Sequence, residues 1–133
     1  MSAIETTAQS WAPRLLSVLR IVAGLLFIEH GTSKLLGFPA GGETGTVALF
    51  SLIGLAAVLE LVGGVLLTLG LFTRITAFIL SGEMAVAYFM VHAPSSFFPL
   101  INRGEPAVLY CFLFLYIAAA GAGPWSIDAL RRR

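Results

Sequence analysis

The chain has 133 residues, of which 58% are hydrophobic and only 11% are charged, with a formal net charge of +1. Its mean hydropathy of +0.93 is far from that of a soluble domain, which is about half apolar and a quarter charged. This composition excludes a soluble enzyme and a nucleic-acid-binding domain, and it predicts an integral membrane protein in contact with the lipid bilayer.

Four apolar stretches are long enough to cross a bilayer, which takes about 20 apolar helical residues. In chain order, the predicted spans are 14–36, 47–72, 74–93 and 106–123. The first stretch carries Arg20 and Glu29 and ends at Lys34 instead of a small-residue cleavage site, so we predict a permanent span and not an export signal. The spans leave little chain between them. We therefore predict an all-α, four-transmembrane-helix bundle that forms one domain over residues 1–133.

Positive charges are divided unequally between the two ends of this predicted bundle. Lys34 and Arg103 lie at one end. The other end has more of them: Arg14, Arg74, Arg131, Arg132 and Arg133. Because cytoplasmic loops are enriched in Lys and Arg, both termini are expected on the cytoplasmic side.

Ionisable residues inside the spans are the unusual feature of the sequence. Counted along the helices at about 1.5 Å per residue, Glu29, His30 and Glu60 reach a similar depth in the membrane. Further polar residues lie just beyond them: Lys34, His92, Asn102, Arg103 and Glu105. A charge exposed to lipid costs about 3 to more than 10 kcal/mol. We therefore predict that these side chains converge on a polar pocket that opens outward.

Glu83 lies nearer the inner surface, where Arg20 is its predicted ion-pair partner. Structural interpretations of the polar residues stay open at this point. The acids can be neutral or ion-paired contacts between helices, the histidines can be satisfied core residues, and Lys34 and Arg103 can be interfacial anchors. No metal-site spacing is present. The single cysteine, Cys111, cannot form a disulfide within the chain.

Four blocks of sequence form a recognisable combination: RIVAGLLFIEHGTSKLLGF, LELVGGVLLTLGLFTRITAF, EMAVAYF and NRGEPAVLYCFLFLYIAAAGAGPWSID. The positions that carry it are Arg20, His30, Gly31, Lys34, Glu60, Gly63, Gly64, Asn102, Gly104, Glu105 and Asp128. Together they resemble the DoxX family over nearly the whole chain. The ending GAGPWSID departs from the Gly-Pro-Gly that precedes the serine in many relatives, which affects helix termination more than chemistry.

The resemblance implies a four-helix, multi-pass protein of the bacterial cytoplasmic membrane, in a family associated with respiratory redox chemistry. Family members are similar to a subunit of thiosulfate:quinone oxidoreductase, and others are linked to membrane-associated oxidoreductase or thiol-stress complexes. The leading hypothesis is therefore a quinone-linked component without an intrinsic cofactor. Because no residue here carries electrons, a soluble or membrane redox partner must supply them.

In this hypothesis Glu60 and His30 are the catalytic groups, which hand protons to a bound quinone. The predicted ligand-binding residues are Glu29, Lys34, His92, Asn102, Arg103 and Glu105. Two other functions fit the same residues. One is a non-catalytic scaffold subunit that recruits a soluble oxidoreductase, with buried ion pairs that only fix helix register. The other is a small proton-coupled transporter, for which the chain is short unless it forms a homodimer.

Overall fold

The computed structural model describes residues 1–41 and 48–132, and these contain helices and no strand. The helices are α1 (Ala3–Leu36), α2 (Leu52–Leu69), α3 (Thr73–Ala87), α4 (Pro99–Asn102), α5 (Glu105–Ala120) and α6 (Ile127–Arg131). A π-helical turn, Tyr88–His92, and a 3-10 turn, Ala93–Ser95, extend α3. Helices α1, α2 and the continuous segment Thr73–Ser95 are long and apolar enough to cross a membrane, and α5 is apolar with 16 residues. The predicted all-helical membrane bundle is confirmed.

The helix boundaries differ from the predicted spans for local reasons. Helix α1 begins at Ala3 rather than residue 14, because Ser2 and Glu5 form a reciprocal capping box with N···O distances of 3.1 and 2.8 Å. Helix α2 ends at Leu69 rather than residue 72, because Gly70 adopts a left-handed conformation with φ 69°. The predicted start of the second span at residue 47 lies outside the described residues.

Helices α1 and α2 pack with their backbones in close contact. A Cβ at Gly24 would lie 2.7 Å from the Thr68 nitrogen, and one at Gly31 would lie 2.8 Å from the Leu61 nitrogen. Small residues permit this close approach between membrane helices. The contacts fix an antiparallel register, since the later glycine of α1 meets the earlier part of α2. This register places Lys34, one turn after Gly31, opposite Glu60.

The other helices complete the bundle around an apolar core. Helix α3 packs on α2 where Leu80 covers Gly63, and on α5 where the Ser81 hydroxyl donates a 2.7 Å hydrogen bond to the Cys111 carbonyl. Helices α1 and α5 meet through aromatic rings. The Phe27 ring centroid lies 4.9 Å from that of Tyr110 and 4.8 Å from that of Phe114, both edge to face. The buried core comprises Ala23, Phe27, Leu67, Ala77, Leu80, Met84, Phe114 and Ile117.

The segment that follows α5 folds back onto the end of the bundle formed by the first half of α1 and the α2–α3 turn, which we call the terminal end. The fully buried Arg20 guanidinium donates to the carbonyl oxygens of Leu67 (2.7 Å), Trp125 (2.8 Å) and Ala122. The Leu67 carbonyl lies in the last turn of α2, where it also accepts a 3.1 Å hydrogen bond from the Gly70 nitrogen, and the other two carbonyls lie in the segment after α5.

The predicted ion pair between Arg20 and Glu83 is therefore wrong. The Arg20 guanidinium donates its hydrogen bonds to backbone carbonyls, and Glu83 lines a cavity at the other end of the bundle.

Asp128 supplies the N-terminal cap that α3 lacks locally. Helix α3 starts after Phe72, which has φ 52° and makes no side-chain cap. Asp128 comes from the distant α6, and its two carboxylate oxygens accept hydrogen bonds from the backbone nitrogens of Phe72 (3.0 Å) and Thr73 (2.9 Å). Desolvation opposes the charge on Asp128, but the hydrogen bonds from Thr73 and Phe72 and the positive charge of Arg131 outweigh it. The pKa of Asp128 is therefore lower than its ordinary value.

Replacing Asp128 by alanine should lower the free energy of unfolding by about 1 kcal/mol at neutral pH, as expected for a lost helix cap. The wild-type contribution is fully present above the unfolded pKa of about 3.9. It is lost as the pH falls through the lower folded pKa. Thermal unfolding in detergent across pH should therefore show the two proteins converging in acid. Glu29→Gln, which changes an exposed acid, is the control, and a difference that persists unchanged in acid would contradict this account.

Candidate functional site: a polar cavity between the helices

A cavity of about 730 Å³ lies at the end of the bundle opposite the terminal end, between α1, α2, α3 and the start of α5. This volume is in the range of small-molecule sites, which are typically apolar with a few polar groups. Most of the wall is apolar, including Phe27, Leu59, Met84 and Val91. The polar side chains in the wall are His30, Ser33, Lys34, Glu60, Glu83, His92, Arg103 and Tyr110.

Lys34 and Glu60 form an ion pair in this wall. The Lys34 Nζ lies 2.6 Å from Oε1 and 2.8 Å from Oε2 of Glu60, and only 24% and 3% of the two side chains are exposed. Since both carboxylate oxygens face the ammonium group, the pair is neutral as a unit and tolerates an apolar setting. Both residues were predicted to line one pocket, but they were not predicted to pair. The sequence signal for this pairing is that Gly24, Gly31 and Lys34 share one face of α1, the face that packs on α2.

Glu83 also lines the cavity, and within the described residues it makes no ion pair. Its Oε1 atom is buried and has no hydrogen-bond partner within residues 1–41 and 48–132. The carboxyl is close enough to Glu60 and Lys34 for their charges to interact. The preceding Gly82 faces open space, because a Cβ placed there would have nothing within 4 Å. Among the described residues, the cavity therefore holds one acid that is paired with a cation and one acid that is not.

The turn between α3 and α5 fixes the position of His92. The π-helical turn shifts the end of this span into the cavity wall, as π-helical insertions often do at functional sites. The His92 Nδ1 lies 3.0 Å from the Asn102 carbonyl oxygen. Because a carbonyl oxygen only accepts, Nδ1 carries the hydrogen and donates it. Arg103, in the left-handed conformation with φ 62°, also lines the cavity.

Asn102 was predicted to bind ligand, but the structure gives it a different role. Its side chain is buried and is occupied within the turn. The amide nitrogen donates to the Tyr88 hydroxyl (3.1 Å) and the Ser96 carbonyl (2.9 Å), and the amide oxygen accepts from the Gly104 nitrogen at 2.7 Å. Asn102 is not among the cavity-lining residues. This side chain holds the turn that carries Arg103.

Two further predictions of pocket residues need correction. Glu29 and Glu105 are exposed, and neither lines the cavity. Glu29 points away from the packed face of α1. Glu105 lies in the first turn of α5 beside Pro106, where the positive end of the helix favours a carboxylate. The structure does place His30, Lys34, Glu60, His92 and Arg103 in the wall, and their binding and catalytic roles stay predictions.

A second, largely apolar groove adjoins the cavity between α1 and α5. It has a volume of about 360 Å³ and is lined by Leu19, Val22, Ala23, Leu26, Pro106, Leu109, Tyr110 and Leu113. Pro106 and Tyr110 line both spaces. Several groove residues, among them Leu109 and Val22, are exposed on the bundle surface, so the groove opens toward the hydrocarbon of the membrane.

The sequence pattern of the DoxX family matches residues 15–93. The match covers more than half of the chain and includes Lys34, Glu60, Glu83 and His92. The chain belongs to the DoxX family. Arg103 and α5 lie beyond the matched region, so the cavity of this DoxX protein combines residues inside and outside the match.

Two curated relatives align with most of this DoxX protein. An uncharacterized protein from Haemophilus influenzae is 48% identical over 124 residues, which are 90% of this chain and 92% of the relative. A protein from Bacillus subtilis named "Putative oxidoreductase CatD" is 30% identical over 118 residues, which are 84% of this chain and 82% of that protein. No solved structure matches the chain.

Proposed function

We propose that this DoxX protein is a membrane component of a quinone-linked redox system and that its cavity holds the quinone head group. The observation that carries the proposal is the composition of the cavity wall. A quinone ring is flat and apolar and has two oxygens that accept hydrogen bonds. The wall combines an apolar surface with a few side chains that donate hydrogen bonds or protons, including His30, Lys34 and Arg103.

Proton delivery is the chemistry that this wall could provide. Reduction of a quinone takes up two electrons and two protons. Water is scarce among apolar side chains, so positioned acids and imidazoles are the groups that can deliver protons there. The electrons come from a redox partner protein, and the relative named as an oxidoreductase agrees with this proposal at the level of reaction class.

The groove between α1 and α5 supports a membrane-borne ligand over a water-soluble one. Because Pro106 and Tyr110 line both the groove and the cavity, an isoprenoid tail can remain in hydrocarbon while the ring enters the cavity. We propose the bacterial cytoplasmic membrane as the location, with both termini cytoplasmic. This orientation places the cavity in the outer half of the bilayer.

A cavity-filling substitution tests the proposal. Gly82 lines the cavity, and no atom lies within 4 Å of a Cβ placed there. Gly82→Leu should therefore fill the site without disturbing helix packing. Ala119→Leu adds a similar side chain at an exposed position of α5 that does not line the cavity, and it is the matched control.

The measurement is the binding of a tail-bearing benzoquinone to purified protein in lipid nanodiscs, by native mass spectrometry and calorimetry. We expect binding by the wild type and by Ala119→Leu, and at least about tenfold weaker binding by Gly82→Leu, which corresponds to about 1.4 kcal/mol. Absence of binding by the wild type, or equal binding by Gly82→Leu, would contradict the proposed function.

A further inference from the structure

We propose that Glu83, and not Glu60, is the residue that hydrogen-bonds the carbonyl oxygen of the bound ligand and gives it a proton. This inference rests on the proposed function and names the group within the cavity that performs its proton chemistry. It reverses the assignment of the two acids in the sequence analysis, where Glu60 was catalytic and Glu83 was half of a structural ion pair.

Glu60 already has its cation. Lys34 Nζ lies within 2.8 Å of both Glu60 oxygens. A carboxylate held in this way is stable in its charged form and has no proton to give. To become a donor, Glu60 would first have to lose the ion pair.

Glu83 has no such cation in the part of the chain that the structure describes. Arg20, its predicted counter-ion, donates to Leu67 and Trp125 at the terminal end. The Glu83 Oε1 is buried without a partner in the described part of the chain. Burial of an unpaired carboxylate is far more costly than burial of the neutral acid, so a group in this position holds its proton.

The neighbouring charges reinforce this state. The negative charge of Glu60 on α2 repels a second negative charge at Glu83. The positive charge of Lys34 offsets little of this repulsion, because Lys34 is paired with Glu60. The titratable and charged groups in the cavity wall around Glu83 are His30 and Lys34 from α1, Glu60 from α2, His92 from the π-helical turn, Arg103 from the turn before α5, and Tyr110 from α5.

Open space lies beside the Glu83 carboxyl group. A protonated carboxyl group carries one O–H donor that needs an acceptor. Gly82 leaves cavity volume open beside it, and a ring carbonyl placed there would accept a hydrogen bond from the Glu83 carboxyl group. Because Oε1 is enclosed by protein, the oxygen that donates to the ligand is Oε2.

The electrons and protons of the proposed reduction balance. The quinone takes two electrons from the reductant, which is a redox partner protein in the cell and an electrode in the assay. One ring oxygen takes a proton from Glu83, which becomes a carboxylate. The other ring oxygen and the Glu83 carboxylate then each take one proton from water. The net change is one quinone, two electrons and two water-derived protons converted to one hydroquinone.

Infrared difference spectroscopy tests the protonation of Glu83 directly. The wild type should show the carbonyl stretch of a protonated carboxylic acid, which shifts when quinone binds. Glu83→Gln should lose this band. The double variant Lys34→Met/Glu60→Gln should keep it, because it removes both charges of the ion pair and leaves no free lysine to pair with Glu83.

Electrode-driven reduction of the bound quinone tests the proton transfer. Glu83→Gln keeps an N–H donor of similar shape, so quinone affinity should stay within a few-fold of the wild type while reduction slows by about 100-fold. Glu83→Leu removes the donor, and affinity should fall by about tenfold. If Glu83→Leu does not fold, the test rests on Glu83→Gln, through the loss of the carbonyl band and the slower reduction.

The outcomes separate this inference from the proposed function. A carbonyl band that persists in Glu83→Gln overturns the assignment. Wild-type affinity and reduction rate in both Glu83 variants, with binding still blocked by Gly82→Leu, overturn it as well and leave the quinone site standing. A wild type that binds no quinone overturns the proposed function and this assignment together.

Discussion

Replacement of Lys34 by methionine is expected to lower the free energy of unfolding by about 3–5 kcal/mol, because it leaves the buried Glu60 carboxylate without its partner. Both oxygens of Glu60 face the lysine nitrogen, at 2.6 and 2.8 Å. Chemical unfolding in mixed micelles gives the measurement.

The double variant Lys34→Met/Glu60→Met should recover most of that loss, because apolar side chains of similar volume replace a buried ion pair at little net cost. Arg103→Met is the matched control. It removes a second cation from the same cavity wall, and within the described residues Arg103 has no carboxylate oxygen within 4.0 Å. A loss below about 1 kcal/mol for Lys34→Met, as for an exposed pair, would contradict the buried ion pair.

The second large effect is expected at Arg20. Its guanidinium donates to the carbonyls of Leu67, Ala122 and Trp125, and hydrogen bonds from a charged group contribute about 1.5–3 kcal/mol each. Arg20→Met should therefore destabilise the protein by at least about 3 kcal/mol and release the segment that follows α5. Hydrogen exchange at residues 121–131 would report that release.

A double-mutant cycle separates this account from the predicted pair with Glu83. Because Arg20 and Glu83 lie at different ends of the bundle, the effects of Arg20→Met and Glu83→Gln should add within about 0.5 kcal/mol. Arg14→Met is the control, since Arg14 is exposed and stacks on Trp11, and its effect should stay within about 0.5 kcal/mol. A coupling energy of several kcal/mol between Arg20 and Glu83 would contradict this account and support the predicted ion pair.

The helices and the membrane setting could be predicted because they depend on quantities that a sequence contains, namely the length and hydropathy of each apolar stretch. Counting residues also gave the depth of His30, Lys34 and Glu60, which do line one cavity. Depth is only one coordinate. The orientation of Glu29 and the enclosure of Asn102 depend on helix rotation and on the turn before α5, which depth does not specify.

The partners of the charged residues were harder to predict, because they depend on contacts between distant parts of the chain. The Arg20 guanidinium donates hydrogen bonds to carbonyls of the segment after α5, and no local sequence pattern predicts that this segment folds back. Asp128 caps α3 from 55 residues away. The choice between Glu60 and Glu83 as the partner of a cation rests on the register of α1 against α2, which backbone contacts at Gly24 and Gly31 determine.

Photolabelling with a tail-bearing azidoquinone tests the quinone site most directly. The label should attach to peptides that contain Gly82–His92 and Phe27–Lys34, it should be displaced by excess unlabelled quinone, and it should be lost in Gly82→Leu. Labelling confined to lipid-facing positions such as Phe78 and Leu115, without displacement by unlabelled quinone, would contradict a quinone site in the cavity.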